Sequence, residues 1–558
     1  MKLFPLSRRT MLAVILAVTA IAYVQSFTHG FVLDDHDLLT RVIPSIHKPI
    51  EAWLTGNAFQ SYYRPIFLTS LYIDNLFFGN APAGYHVMNL ILHLLAVWCA
   101  FLFAERIFHS PAAAAAAALL FAIQPVHTEN VSWISGRTDI LCAIFVFLSL
   151  SAFYDLVRRR TGALAWLSAG FFFLALASKE VAVVMPAFCL VMLMVWKMLP
   201  SDPVQQEPAL PRKRTVKKTI RRKSAKPVVL ALFLFALGVI GFMIIRNIVM
   251  NAQFTENTFT TDSAVRLNAL RCFALYLLHS VTGGGYQYLI LGWRVVDPKF
   301  NLALPDETST WIWIGVAALL FVVACIAAIR WRRGVAALGL AGFAFFIFPA
   351  LGFVPIQSIF SVRFLYLPSF FLSLAAVDAV RVIREKFAFP KMDIAFAVVI
   401  ASIAAWWGYS TFMQDAKWKD DVTLFTSMKD NMPDSPVLYF SLANGYRYQE
   451  DYMDAARYFS EAIQLFPRYH DAYINLGACY MAIGEKHPEY FPAAIDVYDK
   501  ALAQFNSDPV LYMLMGDACL RTGDKQRAIQ DYATAYSLDK SPEIRKRLDM
   551  LNVQLPGN

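Results

Sequence analysis

Charge is scarce in this chain. Asp, Glu, Lys and Arg together make up 16% of 558 residues, against 58% for the hydrophobic types. A water-soluble globular protein of that composition would have too little polar surface to cover its core, whereas a bilayer accommodates it. Cysteine is sparse as well: seven residues, no Cys-x-x-Cys pair, and five of the seven in or beside apolar segments. That excludes a disulfide framework and a zinc knuckle. No spacing of His, Asp or Glu suggests a metal site, so neither metal nor cofactor is expected. No small-residue cleavage site follows the first apolar run after Arg8 and Arg9, which therefore reads as an uncleaved helix rather than a signal peptide. The net charge of +9 is gathered in short clusters beside apolar runs, the pattern of membrane topology and not of nucleic-acid binding.

What is present is a series of long apolar runs, with a mean hydropathy of +0.47 over the chain and 45 Phe residues suited to lipid-facing helices. Spans of about 20 apolar residues are needed to cross a bilayer. They are expected near 11–27, 85–108, 112–123, 140–157, 163–177, 181–198, 228–245, 311–329, 334–349, 364–382 and 394–412, about eleven in all. Arg8/Arg9, Arg158–Arg160, Arg212–Lys226, Arg330/Arg332/Arg333 and Arg381/Arg384/Lys386 then alternate as cytoplasmic loops, which places the N-terminus inside and the C-terminus outside. Leu267–Val281 would break that alternation as a span. It reads as an interfacial or re-entrant helix on the outer face, with Arg266 and Arg271 at the headgroups. Residues 199–227 form a basic cytoplasmic linker with no hydrophobic periodicity.

Beyond Pro436 the composition becomes that of a soluble domain. Tyr439, Leu442, Ala443, Tyr446, Ala455, Phe459, Ala462 and Pro467 fit a helix–turn–helix unit of about 34 residues. Tyr473, Leu476, Gly477 and Tyr480 restart it, and Tyr512, Met515, Gly516, Ala528, Tyr532 and Ala535 restart it again. The domains expected are therefore a membrane module over 1–412 (first outer loop 29–84), a connector over 413–435 and a tetratricopeptide array over 436–558. The repeats fall near 436–469, 470–508 and 509–542. Such an array takes a peptide or protein partner, or serves as a spacer.

Chemistry is sought where polar groups crowd the ends of spans. Asp34 and Asp35 follow the first span; they either cap the next helix or supply a carboxylate of raised pKa for general-base work. Tyr63-Arg64-Pro65, Tyr85-His86 with Asn89 and His93, Pro125-Val126-His127-Thr128-Glu129, Gly136-Arg137-Thr138-Asp139, Ser178-Lys179-Glu180 and Arg363-Phe364-Leu365-Tyr366-Leu367-Pro368 fall on the same outer side in this topology. Carboxylates, imidazoles and several cations on one face suit a phosphate-bearing substrate.

This string of motifs and the order of the domains resemble the transmembrane-and-tetratricopeptide O-mannosyltransferase family, related to the protein O-mannosyltransferases of the GT-C fold. Gln124 stands where a His is common there, and the tail has about three repeats where animal relatives have longer arrays. The resemblance implies an all-α fold: a GT-C-like transmembrane bundle followed by a tetratricopeptide solenoid. It implies a glycosyltransferase that moves a sugar, in that family mannose, from a polyprenyl-phosphate donor to a hydroxyl of a protein or glycan acceptor on the outer face. Asp34 would be the acceptor-activating base, supported by Asp35. Arg137, Lys179, Arg363 and Arg64 would contact the donor phosphate, and His127, Glu129, Asp139, Glu180 and His86 would shape the cleft. A bacterial inner membrane is the expected location. The rival readings are a non-catalytic membrane-anchored scaffold and a lipid or sugar transporter; no repeat between the halves supports the latter.

Overall fold

The structure, a computed structural model, describes residues 7–54, 62–200, 224–250, 263–282, 308–351, 361–387 and 392–553, except the side chains of 263–271, 282, 308–314, 317 and 393. Most of the basic linker expected at 199–227, and the side chains of Arg266 and Arg271, lie outside these residues. Every regular element among the described residues is helical. The chain divides into two compact units, 1–419 and 420–558.

In the first unit each of the eleven apolar runs forms a helix or the greater part of one. Six of the described helices are long and apolar enough to cross a bilayer, or seven if Pro111–Ala122 and Pro125–Ser132, bent by 54°, make one broken span. Local chemistry fixes their ends. Ser7 caps Arg8–Ala22 by accepting from the Thr10 N–H, and Ser110 does the same for Pro111–Ala122 through the Ala113 N–H. Pro82 and Pro111 occupy first turns, where a missing N–H costs nothing. The alanine run of Pro111–Ala122 buries Ala113, Ala114, Ala117 and Ala118, so small side chains let this helix sit deep in the bundle. Around it the aromatic core interlocks edge to face: Phe121 with Phe147 at 5.9 Å and with Phe370 at 5.7 Å, and Phe188 with Phe371 at 5.0 Å. Gly339 is needed where Gly334–Ile347 crosses Tyr366–Lys386, because a Cβ there would lie 2.5 Å from the Phe371 carbonyl oxygen. The segment expected to be interfacial lies within the helix Ser263–Thr282. Its Cys272 and Tyr276 pack with Phe343, Val362 and Leu365.

The second unit stacks Pro436–Tyr448 on Tyr452–Leu465, His470–Gly484 on Phe491–Leu502, and Pro509–Thr522 on Lys525–Leu538, closed by Pro542–Met550. Glycine and tyrosine interlock where the paired helices cross. A Cβ on Gly477 would meet the Tyr498 ring at 2.2 Å, and one on Gly516 the Tyr532 ring at 2.6 Å. The division between the units falls inside the expected connector, and that segment is folded: Met392–Asp415 runs into it, and Asp421–Thr426 packs against Pro436–Tyr448 in the second unit.

Candidate active site

The loop that follows the first apolar helix is built around a strained turn. The Asp35 N–H donates to the Val32 carbonyl at 3.0 Å, and between them Leu33 takes φ +54°, a conformation that a branched side chain disfavours. Asp34 follows at the start of the short helix Asp35–Asp37, half-buried, and its carboxylate makes no capping hydrogen bond. Strain of this kind persists only where the surroundings fix the backbone, and here Asp35 fixes it. Asp35 is fully buried. Its carboxylate accepts from the Ser135 N–H at 3.0 Å, the Ser135 hydroxyl at 2.6 Å and the Ile134 N–H at 3.3 Å. Burial raises its pKa to about 7 against the pull of the Ser135 hydrogen bonds, with the charge of Asp34 adding to the rise. Asp35 thus ties the first outer loop to the second.

The second loop is folded tightly on itself. A Cβ at Gly136 would stand 2.5 Å from the Glu129 carbonyl oxygen and 2.8 Å from the Asn130 Cα, so only glycine fits before Arg137. From that turn Arg137 enters the protein, 1% exposed, and is enclosed. Its guanidinium donates to Asp74, to the Asn89 side-chain oxygen at 2.7 Å, to the Tyr85 carbonyl at 3.1 Å and to Ser70 at 3.4 Å. A donor-phosphate contact needs an open guanidinium, and Arg137 instead holds Pro65–Phe78 against Pro82–Phe108 and Arg137–Arg159.

The other three cations stand differently. Lys179 gives both Asp139 oxygens 2.7 Å contacts and lies 5.0 Å over the Phe364 ring. Arg64 forks onto Glu180 at 2.6 and 3.0 Å, with Glu180 44% exposed. Arg363, 21% exposed, pairs with Glu129 at 3.3 Å and stacks on Trp133 at 5.1 Å. Lys179 feels both Arg64 and Arg363 as like charges, so the three form one cluster. Glu129 itself is buried and holds the start of the Arg363 segment, accepting from the Ser361 hydroxyl at 2.7 Å and the Arg363 N–H at 3.1 Å. Four outer segments, around 35, 135, 179 and 363, are therefore bound into one surface. Glu180 is its most exposed charged group, with Arg64 and Arg363 half-buried beside it.

Two expected cleft residues are elsewhere. His127 is fully buried in an aromatic cage, 4.6 Å from the Tyr366 ring and 4.9 Å from Phe121, and bonds Ser369 at 2.9 Å. His86 is fully buried too, its Nε2 3.1 Å from the Gly30 carbonyl. Both are buried in the interior, each with one ring nitrogen bonded and the other, Nδ1, without a partner among the described residues. Sequence reasoning passed over Ser135, Asp74 and Asp415. Asp415, buried at the end of Met392–Asp415, accepts from Ser132 at 2.5 Å and lies 3.9 Å from His29. A carboxylate in the last turn of an apolar helix was the available signal. Among the described residues, no three His, Cys, Asp or Glu side chains gather as a metal-ligand set.

Fold and site together define a multi-pass helical membrane protein with a tetratricopeptide array as its second unit. Residues 69–204 match the family model described as dolichyl-phosphate-mannose-protein mannosyltransferase, and 440–486 with 490–543 match a tetratricopeptide-repeat model. The chain is similar to several proteins named protein O-mannosyl-transferase. It is 30% identical to Protein O-mannosyl-transferase Tmtc1 of Drosophila melanogaster over 31% of this chain and 21% of that protein. Protein O-mannosyl-transferase TMTC3 of Homo sapiens is 23% identical over 75% of this chain and 46% of that protein, and that of Mus musculus 23% identical over 84% and 52%. The chain thus spans about half or less of the length of the curated relatives it matches. Among solved structures, the oligosaccharyltransferase of Archaeoglobus fulgidus aligns with 79% of this chain and 58% of its own at 14% identity and a TM-score of 0.40, too low to carry a fold assignment.

Proposed function

We propose that the protein is a membrane glycosyltransferase that moves a sugar, mannose by analogy with its relatives, from a polyprenyl-phosphate donor to a hydroxyl of a protein or glycan acceptor on the outer face. The observation that carries this reading is the division of labour between the paired carboxylates. Asp35 is buried and anchored by three donors of the second loop, while Asp34 is half-buried at the start of the short helix Asp35–Asp37, directly after the strained Leu33. In the transfer Asp34 takes the acceptor hydroxyl proton. The acceptor oxygen bonds the anomeric carbon as the bond from that carbon to the phosphate oxygen breaks, with inversion. The leaving lipid phosphate then needs fixed positive charge, and Arg363 and Arg64 at the exposed edge, with Lys179 behind them, supply it. The scaffold alternative would leave the strained turn and the cluster of Arg64, Lys179 and Arg363 without a task.

The test is transfer of labelled mannose from polyprenyl phosphate to a Ser/Thr peptide by the purified protein. Asp34→Asn is expected to lower turnover by about 100- to 10,000-fold while leaving the melting temperature and donor binding intact. Activity above a few per cent of wild type would remove Asp34 from the base role.

A further inference from the structure

Each of the three cations assigned to the donor phosphate already has a carboxylate. Lys179 has Asp139, Arg363 has Glu129 and Arg64 has Glu180. Phe364 draws two of the pairs together, with Lys179 5.0 Å and Arg363 5.3 Å from its ring centre. Glu180 follows Lys179 in the chain and brings the third pair alongside. A phosphate entering the cluster meets like charge unless one of the carboxylates gives way.

The three carboxylates are not equally held. Glu129 is 1% exposed and, besides Arg363, accepts from the Ser361 hydroxyl at 2.7 Å. Asp139 is 8% exposed, lies in the first turn of Arg137–Arg159 and takes the Lys179 ammonium on both oxygens. Glu180 is 44% exposed, and the Arg64 fork holds its two oxygens at 2.6 and 3.0 Å. Releasing Glu180 returns a carboxylate to water, whereas releasing Glu129 or Asp139 would strand a charge in the interior.

The fork that holds Glu180 is also the one a phosphate needs. Two parallel N–H donors suit a carboxylate and the two non-bridging oxygens of a phosphodiester alike. When Glu180 leaves, it uncovers that fork, and the Tyr62 ring, 4.2 Å from the Arg64 guanidinium, keeps the cation in place. Arg64, Lys179 and Arg363 then face Asp139 and Glu129, three cations against two carboxylates, and a phosphodiester brings the one negative charge that balances them.

We infer that Glu180 occupies the phosphate's place on Arg64, and that the donor binds by anion exchange: its phosphodiester takes the fork and Glu180 turns out to solvent. The inference rests on the assignment of the donor phosphate to this cluster. Glu180 is then a specificity residue, because a ligand without a doubly accepting anion cannot release it.

The experiment measures binding, without turnover, of the methyl phosphodiester of farnesol and of farnesol itself to the full-length protein in a non-ionic detergent. Glu180→Gln keeps the size of the side chain and removes its charge. It should tighten phosphodiester binding about tenfold, the effect of removing one charge-assisted pair, and leave farnesol binding unchanged. The gain should need Arg64: in an Arg64→Gln background it should fall to about twofold or less, because no fork is left to contest. Equal gains in the two backgrounds would mark a mere field effect of the lost charge and overturn the exchange. So would a Glu180→Gln affinity no better than wild type while Arg64→Gln alone weakens binding, a result that leaves the phosphate assignment standing. Phosphodiester binding that neither Arg64→Gln nor Arg363→Gln alters would refute that assignment and the exchange with it. Melting curves establish that each variant is folded. If Glu180→Gln or Arg64→Gln does not fold, Glu180→Asp decides: it keeps the charge but falls a methylene short of the fork, so binding must tighten, and unchanged binding refutes the exchange.

Discussion

At the scale of single residues, adjacent carboxylates have opposite structural duties. Asp35→Asn would place an amide N–H against the Ile134 N–H now received by its Oδ2, so a stability loss of about 1–3 kcal/mol is expected, measured by thermal unfolding in detergent. Its folded pKa, about 7, lies above the ordinary 3.8, so its contribution to stability is fully present below about pH 4 and is lost as pH rises through 7. The wild type should therefore lose stability relative to Asp35→Asn between about pH 4 and pH 7 and level off above; parallel pH profiles would show Asp35 already ionised in the fold. Arg137→Ala should remove a buried ion-pair partner and strand Asp74, costing about 3–5 kcal/mol. A folded Arg137→Ala whose only defect is donor affinity would restore the phosphate role that the structure withdraws. The residue types at the site were legible from the sequence, because charge at the ends of apolar runs is conspicuous. Which cations are open was not, since Arg137 and Arg363 look alike until their neighbours are known.

At the scale of elements, the second outer loop depends on one turn. Gly136→Ala would drive a methyl group into the Glu129 and Asn130 backbone, which cannot yield as a flexible side chain can. We expect loss of both folding yield and activity, whereas Gly170→Ala, in open space within Gly162–Ser178, should be neutral or stabilising by about 1 kcal/mol. Expression and melting temperature of the two variants check this. Helix positions were readable from hydropathy because length and apolarity suffice to mark them. The break between Pro111–Ala122 and Pro125–Ser132 was not anticipated: it depends on how Gln124-Pro125 turns the chain within packed neighbours.

At the scale of the molecule, the two units have separate cores. The helix Asp421–Thr426 belongs with the repeats, where Asp421 lies against Gly445. A cut before Asp420 is therefore expected to leave a folded membrane unit that binds donor lipid, while transfer to a folded protein acceptor falls more than transfer to a short peptide. Equal retention of both would show that the repeats do not present the acceptor. In the orientation set by the basic loops, a reporter active only in the cytoplasm should stay silent when fused to the tetratricopeptide unit. A strong signal would reverse the membrane topology and the shared outer face with it.

The sequence by itself determined the helical class, the membrane residence and the repeat array, because composition, span length and repeat period are local properties of the chain. Tertiary structure alone decided that Asp35 anchors while Asp34 stays half-buried, that Arg137 and His127 are sealed in the interior, and that the Gln124 amide donates to the Ser280 carbonyl. Burial and partner choice are set by residues far apart in the chain: Asp35 and Ser135, Arg137 and Asp74, Gln124 and Ser280. No local pattern carries those pairings, since each is fixed only when the helices pack.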